Sequence, residues 1–269
     1  MIRKFRRYLA FIIVLPLVLA GCAGPYATSS MEDAAKTKQV QLAPEQIDTA
    51  LRLARAARSS GDFASAVNLY RDVTAVKPVD PAIMIELGDT LVDAGAIDDA
   101  IGVYTQIPEK SDARVAALLG LERTSFALGH FDEALVYADT ALALAPNDEK
   151  VLIGRGVALD RLGQHEEAQI SYRAVIATAP NNLAARNDLA LSLALSGKFE
   201  EATYIMTSIA RSTTSTARTR QNLALIYGLM GEKERARELS LVDLSPADTE
   251  SNLHFFDLVA SNDDQRNVK

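Results

Sequence analysis

The 269-residue chain has one cysteine, three histidines and no tryptophan. A single thiol cannot close an intramolecular disulfide, so no redox compartment follows from cysteine pairing. His130, His165 and His254 stand at no metal-ligand spacing from one another, and no second cysteine is present to complete a metal site. No phosphate-cradling glycine loop and no nucleophile elbow occur. The acidic stretch "DAGAIDDA", Asp93 to Ala100, lacks the alternating oxygen ligands of a calcium loop and reads as a solvated turn. These absences leave no candidate catalytic residue, no metal site, no cofactor and no small-molecule substrate. Basic residues are also in deficit, 28 against 35 acidic, for a net charge of −7. That balance argues against nucleic acid as a partner and against adsorption to anionic lipid by charge.

Long apolar runs are missing except one at the start, "MIRKFRRYLAFIIVLPLVLAGC". Arg3, Lys4, Arg6 and Arg7 form a basic region, Leu9 to Leu19 an apolar one, and small residues follow, the order of an export signal. The apolar part is shorter than the ~20 residues of a spanning helix and contains Pro16, so it is not expected to remain as an anchor. Its ending, "LAGC", resembles the bacterial lipobox, in which cleavage before the cysteine accompanies acylation of its thiol. The resemblance implies a signal peptide over 1–21 and lipid on Cys22. Acyl chains, each stabilised by ~0.8 kcal/mol per buried CH₂, would hold the protein on a bilayer without a spanning segment. Ala23 stands where an acidic residue favours inner-membrane retention in such lipoproteins, which points to the periplasmic face of the outer membrane. Residues 22–44 are small and polar with two prolines and read as a flexible tether of roughly 25 Å reach. The signal holds four of the 28 basic residues and no acidic one, so the remainder carries 24 against 35, or −11.

From residue 45 onward a repeat governs the sequence. Gly61, Gly95, Gly129, Gly163, Gly197 and Gly231 are each 34 residues apart, and five residues after each stands an alanine: Ala66, Ala100, Ala134, Ala168, Ala202 and Ala236. A fixed period of this size means stacked supersecondary units. Each unit reads as two antiparallel helices. The glycine ends the first in a left-handed conformation, and the alanine lets the second approach closely. The residue seven before each glycine is small in five units; Glu122 is the exception. Tyr70, Tyr104 and Tyr172 recur nine residues after a glycine, and Pro78, Pro146 and Pro180 stop second helices. This pattern resembles the tetratricopeptide repeat (TPR), which implies an all-α solenoid of about six helix-turn-helix repeats over 45–248. Departures are the missing tryptophan, Arg186 and Arg220 at usually bulky apolar positions, and Asp112 and Thr214 in place of stopping prolines, where longer joints are expected. Ser245 as an N-cap with Pro246 behind it starts a further helix, with Leu253, Phe256 and Val259 on one face and His254 and Phe255 on others. It is expected to cap the stack, with a polar tail completing 249–269.

In TPR proteins the first helices line a concave groove. By that guide Arg52, Arg55 and Arg58 form a basic stripe, with Glu86 and Asp89 on the next first helix; the charges either pair, Arg52 with Glu86 and Arg55 with Asp89, or bind a ligand. The fifth and sixth repeats offer Asn187, Leu191 and Leu195, then Arg218, Asn222, Leu225 and Leu229. Amides beside leucines suit an extended or helical peptide; the same leucines also suit ordinary inter-helix core. "RQNLALIYGLMGEKERARELSLVDLSPADTESNLHFF" looks closer still to the TPR lipoprotein of the Tad (tight adherence, Flp pilus) system, through Gln221 to Leu229 and Asn252 to Phe256, with His254 departing from the family's usual alanine. That resemblance implies a pilotin-like role in assembling or stabilising the secretin channel of the outer membrane. The alternative is an envelope adaptor that recruits peptidoglycan enzymes or outer-membrane assembly components. The lipid assignment is checked by metabolic labelling with palmitate: the wild-type chain takes up label and Cys22→Ala does not, while the repeats of the variant stay folded.

Overall fold

The computed structural model describes residues 43, 46–76, 80–212 and 215–264. The signal, Cys22, all of the tether except Ala43, Pro78 and Thr214 lie outside these residues. Among the described residues the protein is all-α, and none of its helices is long and apolar enough to cross a membrane. Two compact units divide at Thr90 and Leu91. The first holds α1 (Ile47–Ser59), α2 (Phe63–Val76) and most of α3 (Pro81–Asp93). The second runs through α4 (Ile97–Thr105), α5 (Arg114–Leu128), α6 (Phe131–Leu144), α7 (Glu149–Arg161), α8 (His165–Thr178), α9 (Leu183–Leu195), α10 (Phe199–Ala210), α11 (Ala217–Leu229), α12 (Lys233–Ser240) and α13 (Pro246–Asp264).

All six periodic glycines have φ between 75° and 83°. At Gly129 the turn is a Schellman closure: the glycine N–H bonds to Phe126, and the His130 N–H reaches back to the Ser125 carbonyl at 2.8 Å. The same back-bond recurs from Asp62, Ala96, Gln164, Lys198 and Glu232. The six periodic alanines are each 0% exposed, and within each unit second helices lie against first helices with no side chain larger than a methyl at the crossing. Within the second unit the tyrosines fill the space opposite glycines. A Cβ on Gly156 would sit 2.5 Å from the Tyr172 ring, and one on Gly120 would strike the Tyr104 ring.

The joints follow the stop signals. Helices α6 and α8 end before four-residue connections, and Asp148 and Asn182 then cap α7 and α9 by accepting backbone N–H bonds at 2.8–3.1 Å. Where Asp112 replaces proline, the α4–α5 joint lengthens to residues 106–113. The charged departures are accommodated. Arg186 donates to Ser208 at 3.2 Å, Arg155 to Asp139 at 2.7 Å, and Arg220 grips Asp243 with two nitrogens. Ser245 caps α13 as expected, accepting the Asp248 N–H at 3.2 Å. Leu253 and Phe256 are both 5% exposed and pack with Ala236, and Phe256 lies on Gly228 of α11. The side chain of Val259 lies outside the described residues. Leu53 is 54% exposed although Leu87, Leu121, Leu189 and Leu223 at the same register are 2–4% exposed; among the described residues nothing precedes α1 to cover it.

Gly156→Ala is expected to cost about 1–3 kcal/mol, because Tyr172 is 1% exposed and hydrogen-bonded and so cannot yield to a methyl. Urea unfolding monitored by circular dichroism measures it.

Candidate functional site

In the second unit the first helices α5, α7, α9 and α11 neighbour one another in chain order. Between α7, α8 and α9 lies a polar network centred on Asp160. Its Oδ1 accepts from Ser192 at 2.7 Å and lies 2.8 Å from His165 Nδ1, and its Oδ2 accepts from the Tyr172 hydroxyl at 2.9 Å. Burial, with the nearby Asp160 and Asp188 charges, pushes the Tyr172 phenol well above its ordinary range. Asp188 on α9 is itself raised to about 6, chiefly by burial, against the opposing pull of Asn187 and Arg218.

This network adjoins the predicted groove. Asn222 Nδ2 on α11 donates to Asn187 Oδ1 on α9 at 2.9 Å, and Asn187 Nδ2 approaches Asp188 Oδ1 at 3.3 Å. The structure thus brings Asn187 and Asn222 together. Arg218 is exposed one helical turn before Asn222. The leucines divide. Leu191 is 6% exposed and belongs to the hydrophobic core, Leu225 and Leu229 are half-buried and pack against that core, and Leu195 is half-buried. Leu225 also touches the cluster under α13. Asp160, Ser192, His165 and Asp188 escaped the sequence reading, which weighed His165 only as a metal ligand. The partners of Asp160 stand 5 to 32 residues away in the chain, and no periodic signal marks them.

In the first unit the basic stripe pairs one turn later than expected. Arg55 grips Glu86 through two nitrogens at 2.6 and 2.7 Å, and Arg58 lies 4.0 Å from Asp89. Arg52 instead bonds Thr49 at 3.2 Å. The shift follows from side-chain direction: helical side chains lean toward the N-terminus, so an arginine reaches the neighbouring helix about one turn before its own register. Tyr70 also donates to Glu86 at 2.7 Å. The Arg55 hydrogen bonds hold the Glu86 carboxyl below its ordinary value, and burial pushes Tyr70 up to about 12.

An array of paired helices with a hydrogen-bonding line across adjacent first helices has the architecture of a protein-interaction scaffold. The chain belongs to the tetratricopeptide repeat family, whose profile matches residues 51–114, 123–182 and 153–211. No curated protein sequence is similar to it. Among solved structures, a TPR protein of the thermophile Thermus thermophilus aligns with a TM-score of 0.56 at 19% identity over 67% of this chain and 98% of its own. A TPR protein of Parabacteroides merdae aligns at 0.55 and 17% identity over 79% of this chain and 99% of its own. The Cut9–Hcn1 assembly of the APC/C aligns at 0.65 and 17% identity over 79% of this chain, which spans 43% of that chain. These likenesses show the fold. Tetratricopeptide repeats are protein-interaction scaffolds, and no catalytic family matches.

One further buried group stands apart from the groove. Glu122 on α5 takes the place that a small residue fills elsewhere, is 4% exposed, lies against Gly154 of α7, and has no hydrogen-bond partner for Oε1. Burial lifts its carboxyl from an ordinary 4.5 to about 8, against the weaker pull of Arg123. Between those values the folded protein holds a proton that the unfolded chain releases, so stability falls as pH rises through that window. Glu122→Gln is expected to unfold with the wild type at pH 4 and about 5 °C above it at pH 8, read from thermal unfolding across the range.

Proposed function

We propose that this chain is an outer-membrane lipoprotein that assists assembly or stabilisation of a Tad (Flp pilus) secretin by holding a segment of the secretin subunit. The reading of the binding face rests on the bond from Asn222 to Asn187 at 2.9 Å, which lines up two amides across adjacent first helices. A single N–H of Asn222 is used, and its other polar atoms can pair with the backbone of an extended segment while the half-buried Leu195, Leu225 and Leu229 meet its side chains. The exposed Arg218 would take a carboxylate of the same segment. Support for the secretin as partner is the resemblance of Gln221 to Leu229 and Asn252 to Phe256 to the Tad lipoproteins. Acylated Cys22 would confine the scaffold to the membrane in which the channel assembles, raising the local concentration of its partner by tethering instead of contact energy.

Asn222→Ala combined with Leu225→Asp is expected to abolish secretin multimers in envelopes while the level of folded protein is maintained. Unaltered multimers would remove the groove from the mechanism. In vivo crosslinking followed by purification of the acylated chain should recover a secretin; cell-wall hydrolases or barrel-assembly proteins alone would overturn the secretin assignment.

A further inference from the structure

The second-helix side of the second unit carries a feature with the same 34-residue period as the core. Val136 on α6, Ile170 on α8 and Tyr204 on α10 each stand seven residues after a periodic glycine, and they are 61%, 65% and 79% exposed. Single exposed apolar residues are ordinary on protein surfaces. Three at one register on successive second helices form a row. The row ends at Gly102 on one side and Glu238 on the other, which occupy the same register in the neighbouring repeats.

The flanks of the row differ. One turn toward the helix N-termini stand the exposed Glu133, Glu167 and Glu201, beside Asp132, Glu166 and Glu200. One turn toward the C-termini are Thr140, Ala174 and Ser208, small and exposed. Cations cover only part of the acidic flank: Arg173 bridges α8 to Glu201 of α10 at 3.1 Å, Lys198 approaches Glu166 at 3.5 Å, and His130 lies 3.5 Å from Glu133. Beyond Tyr204 the surface sinks into an open cavity of about 540 Å³, whose lining includes Tyr227, Met230 and Arg235, the last stacked over the Tyr227 ring at 5.3 Å. Glu200, Thr203, Thr207, Ser208 and Arg211 also line this cavity, so the apolar row ends at Tyr204.

We infer that the outer face of α6, α8 and α10 docks an amphipathic helix of a partner protein, with its apolar stripe on Val136, Ile170 and Tyr204 and a Lys/Arg edge on the carboxylate row. First helices α7 and α9 pack between α6, α8 and α10, so the row is longer than the ~20 Å that two directly packed helix-to-helix steps would span, and the helix it takes is longer than about 14 residues. On the other flank Thr140, Ala174 and Ser208 are small, while the exposed Arg173 reaches from α8 to Glu201 of α10 and has to turn aside for such a helix to settle. This surface is distinct from the Asn187–Asn222 line, since Tyr227 lies about 140° around α11 from Asn222.

The test uses the full chain and a labelled helical peptide of about 21 residues, long enough to span the row, with leucines at i, i+3, i+7, i+10, i+14 and i+17 and lysines along one edge, followed by fluorescence anisotropy at physiological salt. Ile170→Asp and Tyr204→Asp should each weaken binding at least tenfold with unchanged thermal unfolding, while Asn222→Ala should bind as wild type does. A peptide with glutamates in place of the lysines should bind at least tenfold more weakly. The proposal is overturned by absence of binding, by equal binding to the aspartate variants, or by equal binding of the glutamate peptide. Sedimentation that shows a dimer dissociated by Ile170→Asp would also overturn it, making the row a self-association surface.

Discussion

Each repeat depends on two helices touching at backbone distance. A left-handed glycine turns the chain so that the second helix comes back along the first, and a fully buried alanine at the crossing keeps the approach close. Any larger side chain there would splay the pair, and within a unit the error would propagate, because each repeat there packs on its neighbour. This explains why the glycine and alanine are invariant across six repeats while the helix faces around them vary from charged to apolar.

The tyrosines connect that core to the polar face. Tyr70, Tyr104 and Tyr172 are 0–1% exposed, and each hydroxyl meets a charged residue of a first helix: Glu86, Arg123 and Asp160. An aromatic body fills space among close helices, and its polar tip satisfies and orients a charge where a partner would bind. Packing and recognition are thereby coupled through the same side chain. Glu122 breaks this economy. It places a carboxylate in the interior with no tyrosine to meet it, and the structure keeps it neutral by raising its affinity for a proton.

The repeat, its turn glycines, the crossing alanines, the buried tyrosines, the lengthened 106–113 joint and the Ser245 cap were legible in the sequence because each is a local rule applied at a fixed period. Glu122 was visible as the one exception to a small-residue position, though its burial required the neighbouring Gly154. What was not legible depends on side-chain reach between helices. The arginine pairing moved by one turn, because that reach runs back toward the helix N-terminus. The Asp160 network was invisible because its members stand at non-equivalent positions on three helices. Of the groove residues, Asn187 and Asn222 meet, while Leu191 is drawn into the core and Leu225 and Leu229 lean on it.

The terminal helix α13 places Phe256 on Gly228, much as Tyr172 lies on Gly156 inside the array. It thus occupies the seat that the next helix of a longer array would need. Growth of this protein by duplication of a 34-residue unit is consequently blocked at that end unless α13 is displaced or copied along with it. Interior joints carry the same kind of contact: the 106–113 segment is longer than its counterparts, yet Tyr104 before it lies on Gly120 beyond it, so a unit added there would have to supply a new partner for each. The length of the array is in this sense set by one kind of contact, at its cap and between its repeats.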